Sequence, residues 1–164
     1  MIEVRRARAE DAGELCRLRQ VMWTTLDARK PEPGPWQENA LTTLRNRLGE
    51  PDPTVAGFVV ARPDGAAGLA ACAMGGIEEW LPGPRNPSGR VGHVHSVSTE
   101  PLFRRRGYSR ACMRAILDWF EESGVTNVTL NASAQGQPLY ASLGFVRSDD
   151  PAMWLYLPEV SRAR

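Results

Sequence analysis

The sequence predicts a single mixed α/β domain, on three observations. The chain has 164 residues, a length that suits one domain and buries a substantial core. Apolar periodicity alternates along it between helix and strand spacing, in the order β-α-α-β-β-β-α-β-α-β, without repeats or low-complexity tracts. One helix lies between the strand-like segments Gly92–Thr99 and Val125–Ala132, and such a crossover makes those two strands parallel neighbours.

Each element has its own signal. Ile2–Arg6 alternates weakly and reads as a first strand. In Ala9–Leu26, Leu15, Leu18, Met22 and Leu26 follow the three-to-four spacing, with Glu10 and Asp11 in the first turn. Lys30–Pro35, with three prolines and a glycine, is a loop. Trp36–Leu48 is a second helix, with Ala40, Leu41, Leu44 and Leu48 as its apolar stripe. Val55–Arg62 and Ala67–Glu78 are strands flanking Pro63-Asp64-Gly65, where proline presets φ and glycine tolerates a positive one. Leu81–Arg90 is an irregular loop. Ser109–Ser123 is a third helix, turning Cys112, Met113, Ile116, Leu117 and Phe120 inward and stopped by Gly124. Pro138–Leu143 is a short helix ended by Gly144, and Met153–Leu157 a last strand.

Composition narrows the partners. Apolar residues make up 42% and charged residues 24%, with a formal net charge of +1. This near-neutral chain lacks the broad basic surface that sequence-independent nucleic-acid binding needs. No apolar run reaches membrane-spanning length and the N-terminus has no signal-peptide core, so no membrane partner and a cytoplasmic location are expected. Cys16, Cys72 and Cys112 have neither metal-ligand nor redox spacing, Cys16 and Cys112 read as buried thiols on the apolar faces of their helices, and no metal is expected.

The stretch Pro101 to Ser109, Pro-Leu-Phe-Arg-Arg-Arg-Gly-Tyr-Ser, carries the chemistry. It places arginines and a glycine at a helix start, where backbone N–H groups are unpaired and the helix dipole is positive. That combination is a pyrophosphate cradle. No Gly-x-x-x-x-Gly-Lys or Gly-x-Gly-x-x-Gly motif competes with it.

Two motifs resemble those of the GNAT N-acetyltransferases, which use acetyl-coenzyme A. The first is Arg104-Arg105-Arg106-Gly107-Tyr108-Ser109, similar to the family's Arg/Gln-x-x-Gly-x-Gly/Ala, with Ser109 where Gly or Ala is commoner. The second runs from Leu130 through Asn131 and Tyr140 to Gly144-Phe145. Together they cover roughly Val94 to Phe145. The resemblance implies a GNAT fold over residues 1–164: a mixed, mostly antiparallel sheet with a splayed parallel pair, and helices on both faces.

It also implies roles. Backbone amides of Arg105, Arg106, Gly107, Tyr108 and Ser109 would hold the pyrophosphate, with the Arg104, Arg105 and Arg110 side chains within reach of phosphates. The edge Val97, Ser98 and Thr99 would pair with the pantetheine arm, and Asn131 would bond the pantetheine or the acceptor. Tyr140 would protonate the departing thiolate. Candidates for the base are His93, His95, Glu78 and Glu79. Both histidines fall on one strand face by their spacing, imidazoles titrate near neutrality, and His95 is the one singled out. Trp23, Trp36 and Trp80, with Glu78, Glu79 and the Leu81–Arg90 loop, would border the acceptor, where aromatic walls and carboxylates suit a cationic amine. The acceptor itself, a small-molecule amine or a peptide, stays open. A coenzyme A-binding module without useful turnover is the alternative function, and Met153–Leu157 is a candidate dimer edge strand.

Overall fold

The computed structural model describes residues 1–27, 31–51 and 53–156. Its elements are β1 (Arg5–Arg6), α1 (Ala12–Asp27), α2 (Pro35–Leu48), β2 (Val55–Ala61), β3 (Leu69–Glu79), β4 (Arg90–Thr99), α3 (Tyr108–Glu122), β5 (Asn127–Leu130) and α4 (Gln137–Ala141). The strands form a five-stranded sheet in the order β1-β2-β3-β4-β5. All neighbours are antiparallel except β4 and β5, which are parallel, as the α3 crossover requires.

Alternation along the strands divides the core between the two faces. Ala71 and Ala73 of β3 pack, with Val94, under Cys112, Met113, Ile116, Trp119 and Phe120 of α3. Cys72 and Met74 face the other way, with Val59, against Leu15 and Leu18 of α1 and the partly buried Leu44 and Leu48 of α2. The expected α3 stripe is confirmed with one addition: Trp119 is buried, its exposed rim covered by the Arg6 guanidinium 5.7 Å from the ring centroid.

Several sequence boundaries shift. The first strand shrinks to two paired residues, because Ile2 and Val4 pack against the α3-side core without a strand partner. Pro35 opens α2 instead of closing the preceding loop, at the first helical position, where its missing N–H costs nothing. Lys30 lies outside the described residues. The expected strand at Met153–Leu157 is a correction: residues 153–156 have no strand pairing and all four side chains are exposed, while Leu157 lies outside the described residues. Alternating apolar residues supply strand propensity, but a strand exists only where a neighbouring edge accepts its hydrogen bonds.

The register locates the functional region. β3 and β4 pair from Glu79↔Arg90 down to Gly75↔Val94, then continue at Met74↔Ser96, which leaves His95 as an extra residue in β4. This is a β-bulge. On the other side, β5 pairs with β4 only from Val91↔Asn127 to Val94↔Leu130. From His95 to Thr99, therefore, β4 has a neighbour on one side alone. The parallel pair splays.

Phe120 fixes how closely α3 approaches the paired half of β4. Its ring lies where a Cβ on Gly92 would come within 2.9 Å, and a Cβ on Gly75 equally within 2.9 Å. Gly92→Ala is expected to destabilise by about 1–3 kcal/mol, the usual cost of overpacking a filled core. Phe120→Leu in the same chain should remove part of that cost. Urea unfolding of the two single variants and the double variant checks this; purely additive effects would contradict it.

Candidate functional site

Gly107, at φ 84°, and Arg105, at φ 63°, adopt left-handed backbone on either side of Arg106, just before the first turn of α3. Residues alternating in this way turn successive amides toward one concavity. The first helical hydrogen bond of α3 is Ala111 N–H to the Gly107 carbonyl, 3.0 Å. Among the described residues, none of the amides from Arg105 through Arg110 donates to an acceptor. A run of unsatisfied donors at a helix start is able to receive anionic oxygens.

These amides face a cavity of about 650 Å³. Its wall brings together almost all the residues expected to meet the coenzyme: Val97, Ser98 and Thr99 from the open edge of β4, Arg104, Arg105, Gly107, Tyr108, Ser109 and Arg110 from the α3 head, and Tyr140 from α4. The arginines divide by task. Arg104 donates through Nε to the Thr99 carbonyl at 3.2 Å and through Nη2 to Thr25 Oγ1 at 2.9 Å, so its guanidinium already braces the end of β4 against α1. Arg106 does not line the cavity; its guanidinium lies 5.5 Å from the centroid of Phe103. Arg105 and Arg110 line the cavity with no described hydrogen bond or ion pair. Ser109 is spoken for as well, its hydroxyl 2.6 Å from Thr99 Oγ1.

A second cleft of about 170 Å³ adjoins the first and holds His93, His95 and Asn131. Asn131 is therefore on the histidine side and not in the larger cavity. Both clefts share Met22, Leu26, Val97, Ser133 and Tyr140. The bulge invalidates the simple parity argument for the two histidines, yet both imidazoles reach this cleft. His93 Nδ1 is 2.8 Å from Thr129 Oγ1, and His95 Nδ1 is 3.2 Å from Ser96 Oγ. The protein packed around His95, together with the nearby Arg19 and His93, pushes its pKa down to about 4, even though the cleft leaves part of the residue open to solvent. The expectation of an imidazole titrating near neutrality is thus overturned. Burial also raises the Tyr140 phenol above its ordinary value, and the ring meets Phe145 edge-on at 6.0 Å.

The residues expected around the acceptor are not brought together. Trp80 is 60% exposed and donates to Glu78 Oε2 at 3.0 Å. Neither of these, nor Glu79, lines either cleft. Trp23 and Trp36 form an edge-to-face pair at 5.3 Å that joins α1 to α2. Sequence reasoning missed Thr25, Ser133 and Gln135 as lining residues, and it read Met22 and Leu26 as core. Leu26 is 51% exposed: the same three-to-four spacing that buries Leu15 and Leu18 directs the last turns of α1 over the open half of β4.

The profile of the acetyltransferase (GNAT) family matches residues 17–145. A mycothiol acetyltransferase of Renibacterium salmoninarum is 28% identical over 136 residues, which are 79% of this chain and 37% of that protein, so the chain spans little more than a third of the relative's length. Among solved structures, one described as a predicted acetyltransferase of Clostridium acetobutylicum, with acetyl-CoA, superposes with a TM-score of 0.80 at 22% identity over 96% of both chains. A GCN5-related N-acetyltransferase of Ralstonia eutropha gives 0.75 at 24% identity, over 94% of this chain and 99% of that one. These structures share the fold, while the profile extends from α1 through both motifs to Phe145. The chain belongs to the GNAT acetyltransferase family.

Proposed function

We propose that the protein moves the acetyl group of acetyl-CoA directly to the primary amine of a small molecule or peptide, with Tyr140 as the acid toward the departing sulfur. The observation that carries this reading is that Tyr140 lines both clefts, between an anion cradle on one side and the histidines on the other. The residues fit the donor. The unsatisfied amides of Arg105 through Arg110, with the Arg105 and Arg110 guanidiniums, suit a pyrophosphate. The unpaired edge at Val97–Thr99 suits an amide-bearing arm that adds to the sheet as a strand would. When bound, acetyl-CoA supplies the thioester.

The amine nitrogen forms a bond to the acetyl carbon as the carbon–sulfur bond breaks. The departing sulfur takes the Tyr140 proton, and the proton shed by the amine restores the phenol, so the chemistry closes without a covalent enzyme intermediate. The phenol is protonated at neutral pH, the form this role requires, and burial raises it further above its ordinary value. Cys72 and Cys112 are unsuited as nucleophiles, since burial pushes both thiols up to about 12. His95 stays neutral at pH 7. In the proposal it accepts a hydrogen bond on the amine side, and loss of the ammonium proton passes to water.

Calorimetric titration of acetyl-CoA tests the donor site. Binding is expected in the wild type, weakened in Arg105→Ala and abolished in Gly107→Glu, which places a side chain and a negative charge in the cradle; a folded wild type that does not bind overturns the reading. Tyr140→Phe should lower kcat by about 10²-fold, the lower range for a positioned acid, with acetyl-CoA affinity unchanged. Equal loss of both would make the ring, and not the hydroxyl, the important part.

The His95 environment has its own consequence. Because the folded state disfavours the imidazolium, the unfolded chain binds that proton more readily, and stability rises with pH between about 4 and the ordinary histidine value of about 6.5. NMR titration of the two histidines should find one imidazole with a midpoint well below 6.5, and His95→Gln should flatten the stability slope across that window. Two midpoints near 6.5 would refute it.

A further inference from the structure

We infer that the acceptor is a weakly basic amine, of the α-amino or aryl-amino kind, received as the free base, and that the histidine cleft discriminates against alkylammonium ions. This deepens the acetyl-transfer reading above and rests on it. The polar wall of the cleft is His93, His95, Ser96, Asn131, Ser133 and Tyr140. The rest is apolar, including Met22 and Leu26 of α1 and Leu130 of β5. Among the described residues, no carboxylate lines this cleft or the larger cavity beside it. Acids on the flanking elements are engaged elsewhere: Glu14 and Glu100 pair with Arg17, and Glu78 accepts from Trp80.

An alkylammonium entering this cleft would exchange water for hydroxyls, an amide and imidazoles, with no opposing charge. That exchange is costly. The protein's own nitrogen base shows the sign of the effect, since desolvation, with Arg19 and His93 adding to it, disfavours the protonated form of His95. The formal charges that do line the larger cavity, Arg104, Arg105 and Arg110, are positive and belong to the α3 head and its approach. They offer a cation nothing.

The cleft does offer a place for an uncharged nitrogen. Thr129 Oγ1 lies 2.8 Å from His93 Nδ1 and donates to the Gly92 carbonyl at 3.4 Å. A hydroxyl has one proton to give, so His93 Nδ1–H is the donor toward Thr129, and Nε2 keeps its lone pair. No described group donates to that atom. A free amine can donate an N–H there and keep its own lone pair for the acetyl carbon; an ammonium has no lone pair to attack with. His93 is thus the residue that receives the amine, and Thr129 the positioning residue that sets its tautomer. Basicity then decides which amines arrive in usable form. At pH 7 an α-amino group, with a pKa of about 7.7–8.0, is free in about one molecule in ten, whereas a lysine-like amine near 10.4 is free in fewer than about one in a thousand.

Steady-state acetyl transfer at pH 7 tests this with phenylethylamine against β,β-difluorophenylethylamine, which lowers basicity at nearly constant size, and with phenylalaninamide, aniline and spermidine. The difluoro amine should exceed phenylethylamine by about tenfold or more in kcat/KM, and the gap should close by about tenfold per pH unit as the medium is made alkaline. Phenylalaninamide and aniline tell an α-amino from an aryl-amino preference. Leu26→Glu places a carboxylate at a 51%-exposed position lining both clefts; it should favour phenylethylamine over its partner by about tenfold through KM, the scale of one charge-assisted contact, whereas Leu26→Gln should leave the ratio unchanged. Nitrogen NMR should find His93 as the Nδ1–H tautomer. Thr129→Val should lose that tautomer and raise KM for the amine about threefold or more, and Thr129→Ser should restore both. Preference for phenylethylamine or spermidine at pH 7, an unchanged ratio in Leu26→Glu, an Nε2–H tautomer in the wild type, or acetyl-CoA binding without turnover of any panel member would overturn the inference alone. Failure to bind acetyl-CoA would overturn it together with the reading beneath it.

Discussion

Strand β4 has hydrogen-bonded neighbours on both sides from Val91 to Val94 and on one side from His95 to Thr99, and the candidate site is arranged around that loss. A backbone edge inside a domain normally finds partners, because unpaired N–H and C=O groups are costly once water is excluded. Here the edge opens onto a cavity instead. The bulge at His95 and the end of β5 pairing coincide, so the strand changes character within a single residue. Before that point Gly92 and Val94 are packed under Phe120 and its neighbours. Beyond it, Val97, Ser98 and Thr99 line open space.

The loop between β4 and α3 must keep its amides unsatisfied and still hold its shape, and much of the arginine content is used for that. Arg104 ties the Thr99 carbonyl to Thr25 of α1. Arg62 and Arg106 both pack their guanidiniums on Phe103, at 5.2 and 5.5 Å from its centroid, and Phe103 is buried beneath them. Arg17 gathers Glu14, Glu100 and the Leu69 carbonyl into one network, while Glu14 accepts the Leu69 amide at 2.8 Å. The hydrogen bonds from Arg17 hold the Glu14 carboxyl below its usual range. Such partly exposed pairs contribute little individually, but together they fix the segment from Glu100 to Gly107 from two sides. What remains for a ligand is Arg105, Arg110 and the amides.

Periodicity made the fold legible. The α3 stripe, the crossover and the parallel β4–β5 pair all follow from spacing that a single chain displays. The cradle was legible too, because Arg105, Gly107 and Ser109 lie together in sequence. Properties that depend on pairing were hidden. Nothing in Gly-His-Val-His-Ser marks His95 as the bulged residue, since the extra residue exists only relative to β3. The alternation at Met153–Tyr156 resembles a strand equally well whether or not an edge receives it. Met22 and Leu26 carry the same apolar signal as Leu15 and Leu18, although two line a cleft and two fill the core. The Glu78–Trp80 pair looked like an acceptor wall because both residue types suit one, and only the structure directs them to solvent.

Desolvation links these local outcomes. It raises the Tyr140 phenol, raises Cys72 and Cys112, and lowers His95, so in every case it favours the neutral form. At the open edge itself, His95 and Tyr140 are therefore held in their neutral forms at pH 7. That suits the proposed transfer, in which a neutral amine meets a neutral thioester and the charge that develops is short-lived. Fixed positive charge lies outside that neutral middle, at Arg105 and Arg110 of the α3 head. With Arg105 and Arg110 at the α3 head and no carboxylate among the described residues lining either cleft, the larger cavity favours an anionic ligand at that end.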